Sequence, residues 1–163
     1  MRAGIENLHI IDFDKVDNEN IYRQQYFPLQ IGMYKTEALR DLALAINPKC
    51  KIRISTMKIT EKNVQNLLCE DDIICEAFDA AAQKAMLVNG VLELFPEKIL
   101  VTASGMAGFG DANAIHTRKI HDNFFLCGDE ISSLQKKEHL VASRVLLCAA
   151  HQAHVILQLL NKL

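Results

Sequence analysis

Residues 10–27, IIDFDKVDNENIYRQQYF, have the pattern of a buried strand that ends in carboxylates and leads into a polar segment. In open α/β sheets, ligands bind at the carboxyl ends of the strands, where an acidic residue can accept hydrogen bonds from ribose hydroxyls. Arg23 follows Asp12 along the chain, and its planar fork of donors suits the phosphates of the same ligand. The order of these residues therefore favours a nucleotide site.

Strands alternate with helices along the rest of the chain. Short apolar runs predict strands at 8–11, 73–78 and 99–102, and alternation of polar with apolar residues predicts a strand at 50–54. Apolar residues at helical spacing predict helices at 36–46 and 140–163, Thr60 can cap a helix at 61–68, and Pro96 ends a helix at 80–94. A half-exposed strand is predicted at 115–120 and a loop at 126–138. Such alternation is typical of an α/β protein with a mostly parallel, Rossmann-like sheet and flanking helices.

Length and composition favour one domain over residues 1–163. The formal charge is −2 and there is no polybasic run, so neither nucleic acid nor a membrane surface is indicated as a partner. No apolar run reaches the roughly 18 residues that span a bilayer. Because the first residues also lack the apolar region of a signal peptide, a cytoplasmic location is expected.

The chain has five cysteines but no C-x-x-C pair, which favours reduced thiols and gives no structural zinc site. Cys127 falls on the predicted loop and is the best candidate for a reactive thiol, although a structural role is the alternative. Cys148, His151 and His154 recur at helical spacing, which could hold a metal or could reflect only packing and surface positions.

A wider pattern resembles a known family. Asp-Phe-Asp at 12–14 is followed by Asn-x-x-Arg-Gln at 20–24 and by Lys35 at the start of a predicted helix. This pattern resembles the ThiF/MoeB/HesA family of ubiquitin-activating-type adenylyltransferases, and within it the ThiF-like proteins of thiamine biosynthesis. The resemblance implies that Asp12 holds the ribose of ATP. It also implies that four residues line the phosphates: Asn20, Arg23, Gln24 and Lys35.

Asp79 matches the family's magnesium-binding aspartate. The local sequence Glu76-Ala77-Phe78-Asp79 departs from the usual Asp-x-x-Asp-Asn, because Glu76 replaces the first acid and Ala80 the asparagine. Magnesium keeps several waters and needs only one or two carboxylates, so Asp79 alone can suffice. The alternative is that Asp79 only caps the helix predicted to begin at Ala80.

The function that the resemblance implies is ATP-dependent adenylation of the C-terminal glycine of a ubiquitin-like sulfur carrier, ThiS or similar. Arg23, Lys35 and the magnesium at Asp79 would be the catalytic groups. Fixed cations that face the α-phosphate stabilise the charge that develops in the transition state. The acyl adenylate is later converted to a thiocarboxylate, and the family usually works as a homodimer.

The family places a strand, a Gly-rich loop and a helix before this pattern, whereas Met1–Gly4 resembles only the end of a helix. We therefore expect an N-terminally truncated domain. The strands around Ile10 and Ile74 would then pair with each other or fray, or the protein would begin upstream of Met1. The rival functions are a non-catalytic or fragmentary nucleotide- or carrier-binding module and, because of the strand-end aspartate, a dehydrogenase.

Glycines after the strand at 99–102 suggest a phosphate loop, but their spacing does not fit one. The sequence Gly108-x-Gly110 lacks a third glycine at Asn113, and no Gly-Lys-Ser/Thr follows. We expect instead a flexible loop beside the substrate tail.

Overall fold

A computed structural model describes residues 1–132 and 139–161. The chain divides into two compact units, Met1–Ile59 and Thr60–Leu163. Both units combine mostly parallel strands with helices, which confirms the predicted α/β class. Within the described residues, no helix is long and apolar enough to cross a membrane.

The first unit is built on two parallel strands, β1 (Asn7–Ile11) and β2 (Lys51–Ser55). Helix α1 (Asn18–Ile21) and helix α2 (Lys35–Ile46) lie between them in the chain. The predicted strands and the predicted helix at 36–46 are confirmed to within one residue. Helix α2 ends before Pro48, because the residue that precedes a proline disfavours helical backbone.

The second unit is built on a four-stranded sheet in the order β3-β4-β6-β5. Strand β5 is antiparallel to its neighbour and the other pairs are parallel. The strands are β3 (Ile73–Cys75), β4 (Ile99–Ala103), β5 (His116–His121) and β6 (Phe124–Gly128). The helices are α3 (Val64–Leu68), α4 (Ala81–Leu94) and α5 (Ala142–Leu160).

Strand β6 corrects the prediction of a loop at 126–138. It lies between β4 and β5 and pairs with both, so residues up to Gly128 are in the sheet. Its short apolar run did not stand out from the polar residues that follow it. Residues 133–138 of that predicted loop lie outside the described residues.

Three smaller predictions also need correction. The predicted helix at 61–68 begins only at Val64, and the Thr60 carbonyl, not its hydroxyl, accepts the Val64 N–H. The predicted strand at 73–78 ends at Cys75. Met1–Gly4 forms a turn closed by a 3.0 Å hydrogen bond from the Gly4 N–H to the Met1 carbonyl.

The strands around Ile10 and Ile74 do not pair with each other. In the described ranges, β1 pairs with β2 and β3 pairs with β4. Each strand therefore has a neighbour within its own unit, and the alternative that these two strands pair with each other is wrong.

Strand β5 lies at one edge of the four-stranded sheet, and five of its six residues are exposed. It carries a series of polar and charged side chains. Arg118 forms two hydrogen bonds to the Glu130 carboxylate, and Lys119 lies 2.8 Å from the Asp122 carboxylate. The exposed edge of this sheet is therefore highly charged.

Candidate functional site

Asp12 lies immediately after β1, at the carboxyl end of the strand. Its N–H donates to the Ser55 carbonyl at 3.3 Å, and its Oδ1 accepts the Asp14 N–H at 2.8 Å. Burial raises the pKa of Asp12, although the Asp14 hydrogen bond and the Lys35 charge act against that rise. Asp12, which is predicted to bind the ribose, is therefore a half-buried carboxyl group with a defined orientation.

Lys35 is the first residue of α2 and is tied to Asp14 twice. Its N–H donates to the Asp14 carbonyl at 2.9 Å, and its Nζ lies 2.8 Å from Asp14 Oδ2. The Lys35 side chain is only 12% exposed, and an ammonium that is largely withdrawn from water requires such a partner. The structure thus brings Asp12, Asp14 and Lys35 together. Their spacing in the sequence alone did not establish this.

Tyr26 adds a buried phenol to this group. It is 7% exposed and belongs to the core cluster with Val16 and Ala38. Burial raises the pKa of Tyr26, and the charges of Asp12 and Asp14 raise it further. Sequence analysis did not single out Tyr26, because only the fold brings its ring near the two carboxylates.

Asn20 has a structural role that the sequence analysis missed. The Asp17 side chain accepts the Asn20 N–H at 2.8 Å, and the Asn20 side chain accepts the Asp17 N–H at 3.1 Å. This capping box begins α1 and leaves Asn20 4% exposed. The Asp-x-x-Asn spacing at 17–20 is the signal that could have revealed it. The predicted phosphate contact of Asn20 stays a prediction, as does that of the half-buried Gln24.

Arg23 has a donor that the described residues leave unused. Its Nη1 donates to the Glu19 carbonyl at 2.8 Å, whereas its Nε is buried and has no hydrogen-bond partner among the described residues. A buried donor without a partner costs about 1–3 kcal/mol. An oxygen of a bound anion would meet this need, so the Arg23 guanidinium fits the predicted phosphate contact.

Asp79 lies in the second unit, between β3 and α4, and is exposed. It does not cap the helix, because α4 begins at Ala81 with Ala80 in the capping position and no side-chain cap. The alternative capping interpretation is therefore wrong. No hydrogen bond or ion pair joins the Asp79 carboxylate to the described residues.

The donor set at Asp79 fits magnesium if other ligands complete the shell. No group of three or more His, Cys, Asp or Glu residues that could hold a metal occurs within 1–132 and 139–161. A single free carboxylate suits an ion that keeps several waters and binds substrate phosphates. The alternative metal site at Cys148, His151 and His154 is not formed, since His151 bonds to the Thr117 hydroxyl at 3.0 Å and Cys148 to the Cys127 carbonyl.

Glu76 is a buried acid of the second unit, with 1% exposure. The Lys84 Nζ lies 2.7 Å from its Oε1 and 2.6 Å from its Oε2. Sequence analysis noted Glu76 only as a replacement of the family's first acid and did not single out Lys84. Their eight-residue separation crosses the junction between strand and helix, so neither helical nor strand spacing predicts the pair.

Cys127 is fully buried on β6, not on a loop. Burial raises the pKa of the Cys127 thiol, although its contact with the Thr117 hydroxyl acts in the opposite direction. Because the reactive form of cysteine is the thiolate, the basis for predicting a reactive thiol at Cys127 is removed.

The loop that contains Gly105, Gly108 and Gly110 is anchored by Arg144. This side chain is 5% exposed and donates to the Gly110 carbonyl at 2.7 Å and the Asp111 carbonyl at 2.9 Å. It also forms an ion pair with Asp129. The loop predicted to be flexible is therefore held at its carboxyl end.

The lowered pKa of Asp129 implies that acid destabilises the second unit. Burial by itself raises the pKa of Asp129, but hydrogen bonds from Ser132 and Ile131 and the charge of Arg144 outweigh burial and lower the pKa. A carboxyl whose pKa is lower in the folded state stabilises the fold above its unfolded pKa of about 3.9. That contribution is lost as the pH falls through the folded pKa.

We therefore expect Asp129→Asn to reduce the free energy of unfolding by a constant amount above about pH 5. Below about pH 4 the difference between the two proteins should shrink. Urea unfolding of the unaltered chain and of Asp129→Asn across this pH range measures the difference in their free energies of unfolding. A difference that is the same at every pH would contradict the prediction.

The sequence profile of the ThiF family matches residues 1–162. Adenylyltransferase and sulfurtransferase MOCS3 of Drosophila willistoni is 32% identical over 105 residues, which are 64% of this chain and 22% of the fly protein. The probable adenylyltransferase/sulfurtransferase MoeZ of Mycobacterium tuberculosis is 33% identical over 88 residues, 53% of this chain and 22% of MoeZ. The matched part thus spans less than a quarter of these curated relatives.

Solved structures share the fold. The tRNA N6-threonylcarbamoyladenosine dehydratase TcdA of E. coli, in complex with AMP, has a TM-score of 0.82 and 18% identity, over 98% of this chain and 78% of TcdA. HcgE of Methanothermobacter marburgensis, bound to guanylylpyridinol and ATP, has a TM-score of 0.73 and 18% identity, over 96% of this chain and 82% of HcgE. At this identity the likeness establishes the fold alone, whereas the sequence profile covers nearly every residue. The chain belongs to the ThiF family.

Proposed function

We propose that this chain adenylates the C-terminal glycine of a ubiquitin-like sulfur carrier, similar to ThiS, in thiamine biosynthesis or a related sulfur transfer. One oxygen of the glycine carboxylate attacks the α-phosphorus of ATP. The bond from that phosphorus to the oxygen bridging the α- and β-phosphates breaks, and pyrophosphate leaves with the electron pair. The product is the carrier's acyl adenylate.

Family membership supports the general class of this reaction. The curated relatives are named as adenylyltransferases and sulfurtransferases, and the AMP in TcdA and the ATP in HcgE are nucleotides of the kind that the proposal requires. The sulfur carrier as partner and the homodimer as working unit come from the same family resemblance and are part of the proposal.

The observation that carries the proposal is the buried Nε of Arg23, which has no hydrogen-bond partner among the described residues. In the same unit, Lys35 is bound to Asp14, and its charge acts on the Asp12 carboxyl group. In our assignment Asp12 accepts the ribose hydroxyls, and the cations neutralise phosphate oxygens. Two amide side chains, Asn20 and Gln24, are assigned to the phosphates as well. Charge grows on the α-phosphate oxygens during attack, so fixed cations lower the barrier more than they strengthen ground-state binding.

Asp79 is assigned to magnesium in the same proposal. Magnesium, when bound, neutralises phosphate charge and polarises the phosphorus for attack. The support from this chain is the exposed carboxylate of Asp79, which has no bonded partner in the described ranges. Asp79 would hold one position of the ion and leave the others to water and phosphate.

Carrier-dependent exchange of labelled pyrophosphate into ATP tests the proposal. We expect exchange when the chain, Mg²⁺, ATP and a ThiS-like carrier are combined, because the adenylation step is reversible. The matched control is the same carrier without its C-terminal glycine, which should give no exchange. An absence of exchange at every ATP concentration would overturn the proposal, and ATP binding in that case would favour the nucleotide-binding module.

A further inference from the structure

Glu76 is held by contacts from several parts of the second unit. Its side chain is 0% exposed, and both oxygens accept hydrogen bonds from Lys84. Its Oε1 also accepts the Phe78 N–H at 2.6 Å, and its Oε2 lies 3.4 Å from the Ala103 N–H. The buried Gln152 side chain donates to the Glu76 carbonyl at 2.9 Å. Strand β4 and helices α4 and α5 therefore all contact this one residue.

These contacts fix both ends of the turn that carries Asp79. On one side, the Glu76 N–H donates to the Val101 carbonyl at 2.8 Å, and the Glu76 carboxylate binds the Phe78 N–H. On the other side, Lys84 lies in the first turn of α4, where its N–H donates to the Ala80 carbonyl at 3.0 Å. Asp79 lies between Phe78 and Ala80, so the same ion pair holds the backbone on each side of it.

A buried ion pair is a weak source of stability, because removing two charges from water offsets much of their attraction. Apolar side chains of similar size often stabilise a protein equally well or better. The side chains here satisfy a main-chain N–H next to Asp79 as well as each other, which points to a role in geometry.

We propose that Glu76 and Lys84 are positioning residues that hold Asp79 in the orientation needed to bind magnesium. The inference rests on the proposed function, since it takes Asp79 as the magnesium ligand. Partners that orient a metal ligand typically change metal affinity by about 10- to 100-fold when they are removed. Because Glu76 acts through the backbone, we expect the lower end of that range.

The test is calorimetric binding of ATP to the full chain, with Mg²⁺ and separately with EDTA. The ratio of the two dissociation constants reports how strongly magnesium assists ATP binding, and it does not depend on activity. We expect Asp79→Asn to abolish the assistance and the double variant Glu76→Leu/Lys84→Met to reduce it by roughly tenfold. Affinity in EDTA should not change, because the nucleotide contacts remain. Lys84→Arg keeps the ion pair and should retain the assistance.

Asp129→Asn is the matched control, because it breaks another buried ion pair of the same unit. It should lower stability and leave the magnesium assistance intact. Should the double variant not fold, Glu76→Met provides the same test, since it keeps the length of the side chain and removes the oxygens that accept the Phe78 N–H and the Lys84 ammonium. If magnesium still assists ATP binding in a folded Glu76 variant but not in Asp79→Asn, the positioning role alone is overturned. Assistance that survives in Asp79→Asn, or is absent from the unaltered chain, would overturn the magnesium assignment and this inference together.

Discussion

Arg23→Ala is expected to lower the rate of carrier-dependent ATP–pyrophosphate exchange by about 10²- to 10³-fold, as removal of one transition-state donor usually does. The guanidinium donates one hydrogen bond to the Glu19 carbonyl, and its buried Nε has no hydrogen-bond partner among the described residues. The effect should fall mainly on kcat, since the charge that Arg23 faces develops as the carboxylate attacks. Initial exchange rates over a range of ATP concentrations separate kcat from KM.

Arg40→Ala is the matched control for this variant. Arg40 lies on α2 in the same unit, where it forms an ion pair with the neighbouring Asp41 at 3.3 Å. Exposed pairs of this kind contribute little to stability, and no role in nucleotide binding is assigned to Arg40. Its rate should equal that of the unaltered chain. If Arg23→Ala is equally active, the phosphate assignment of Arg23 is wrong.

Gly128→Ala is expected to destabilise the second unit by about 4 kcal/mol or more, which is among the largest effects of single substitutions. Gly128 has a φ of +139°, and a Cβ on it would overlap the Ser104 carbonyl group. Two hydrogen bonds hold these backbones together, from the Ser104 N–H to the Cys127 carbonyl and from the Glu130 N–H to the Ser104 carbonyl. The clash is with backbone, so no side chain can rotate away to relieve it.

Urea unfolding followed by circular dichroism measures this effect. Gly90→Ala is the matched control, because Gly90 lies inside α4 and a new Cβ would make only ordinary contacts with Val64 at 3.6 and 3.8 Å. Alanine is favoured over glycine inside a helix by about 1 kcal/mol, so this control should be stabilised. An unchanged midpoint for Gly128→Ala would show that the backbone at Ser104 can move apart at little cost.

The elements that sequence predicted well have strong local patterns. Helix α2 has apolar residues at helical spacing, a proline follows shortly after both α2 and α4, and β1 and β4 are short apolar runs. Strand β6 also contains a short apolar run, but the Gly-Asp-Glu turn at its end gives its last residues the pattern of a loop. Its pairing with a strand on each side places it in the sheet. Cys127 was misplaced for the same reason.

The candidate site could also be predicted only in part. Family resemblance assigns Asp12, Arg23 and Lys35 to the candidate site because the motif is local in sequence. The bond from Lys35 to Asp14 and the pair formed by Glu76 and Lys84 depend on how elements pack. Sequence spacing could not reveal which acid each lysine would meet, since many charged residues are available to both.

The charged edge formed by β5 has a consequence for the behaviour of the protein at high concentration. A strand at the edge of a sheet exposes main-chain groups that can recruit a strand from another molecule and begin aggregation. Charged side chains along such a strand oppose that recruitment, because a newly added strand would bring like charges together or bury them. The exposed Arg118 and Lys119 of β5 therefore help to keep separate molecules from joining through their sheets.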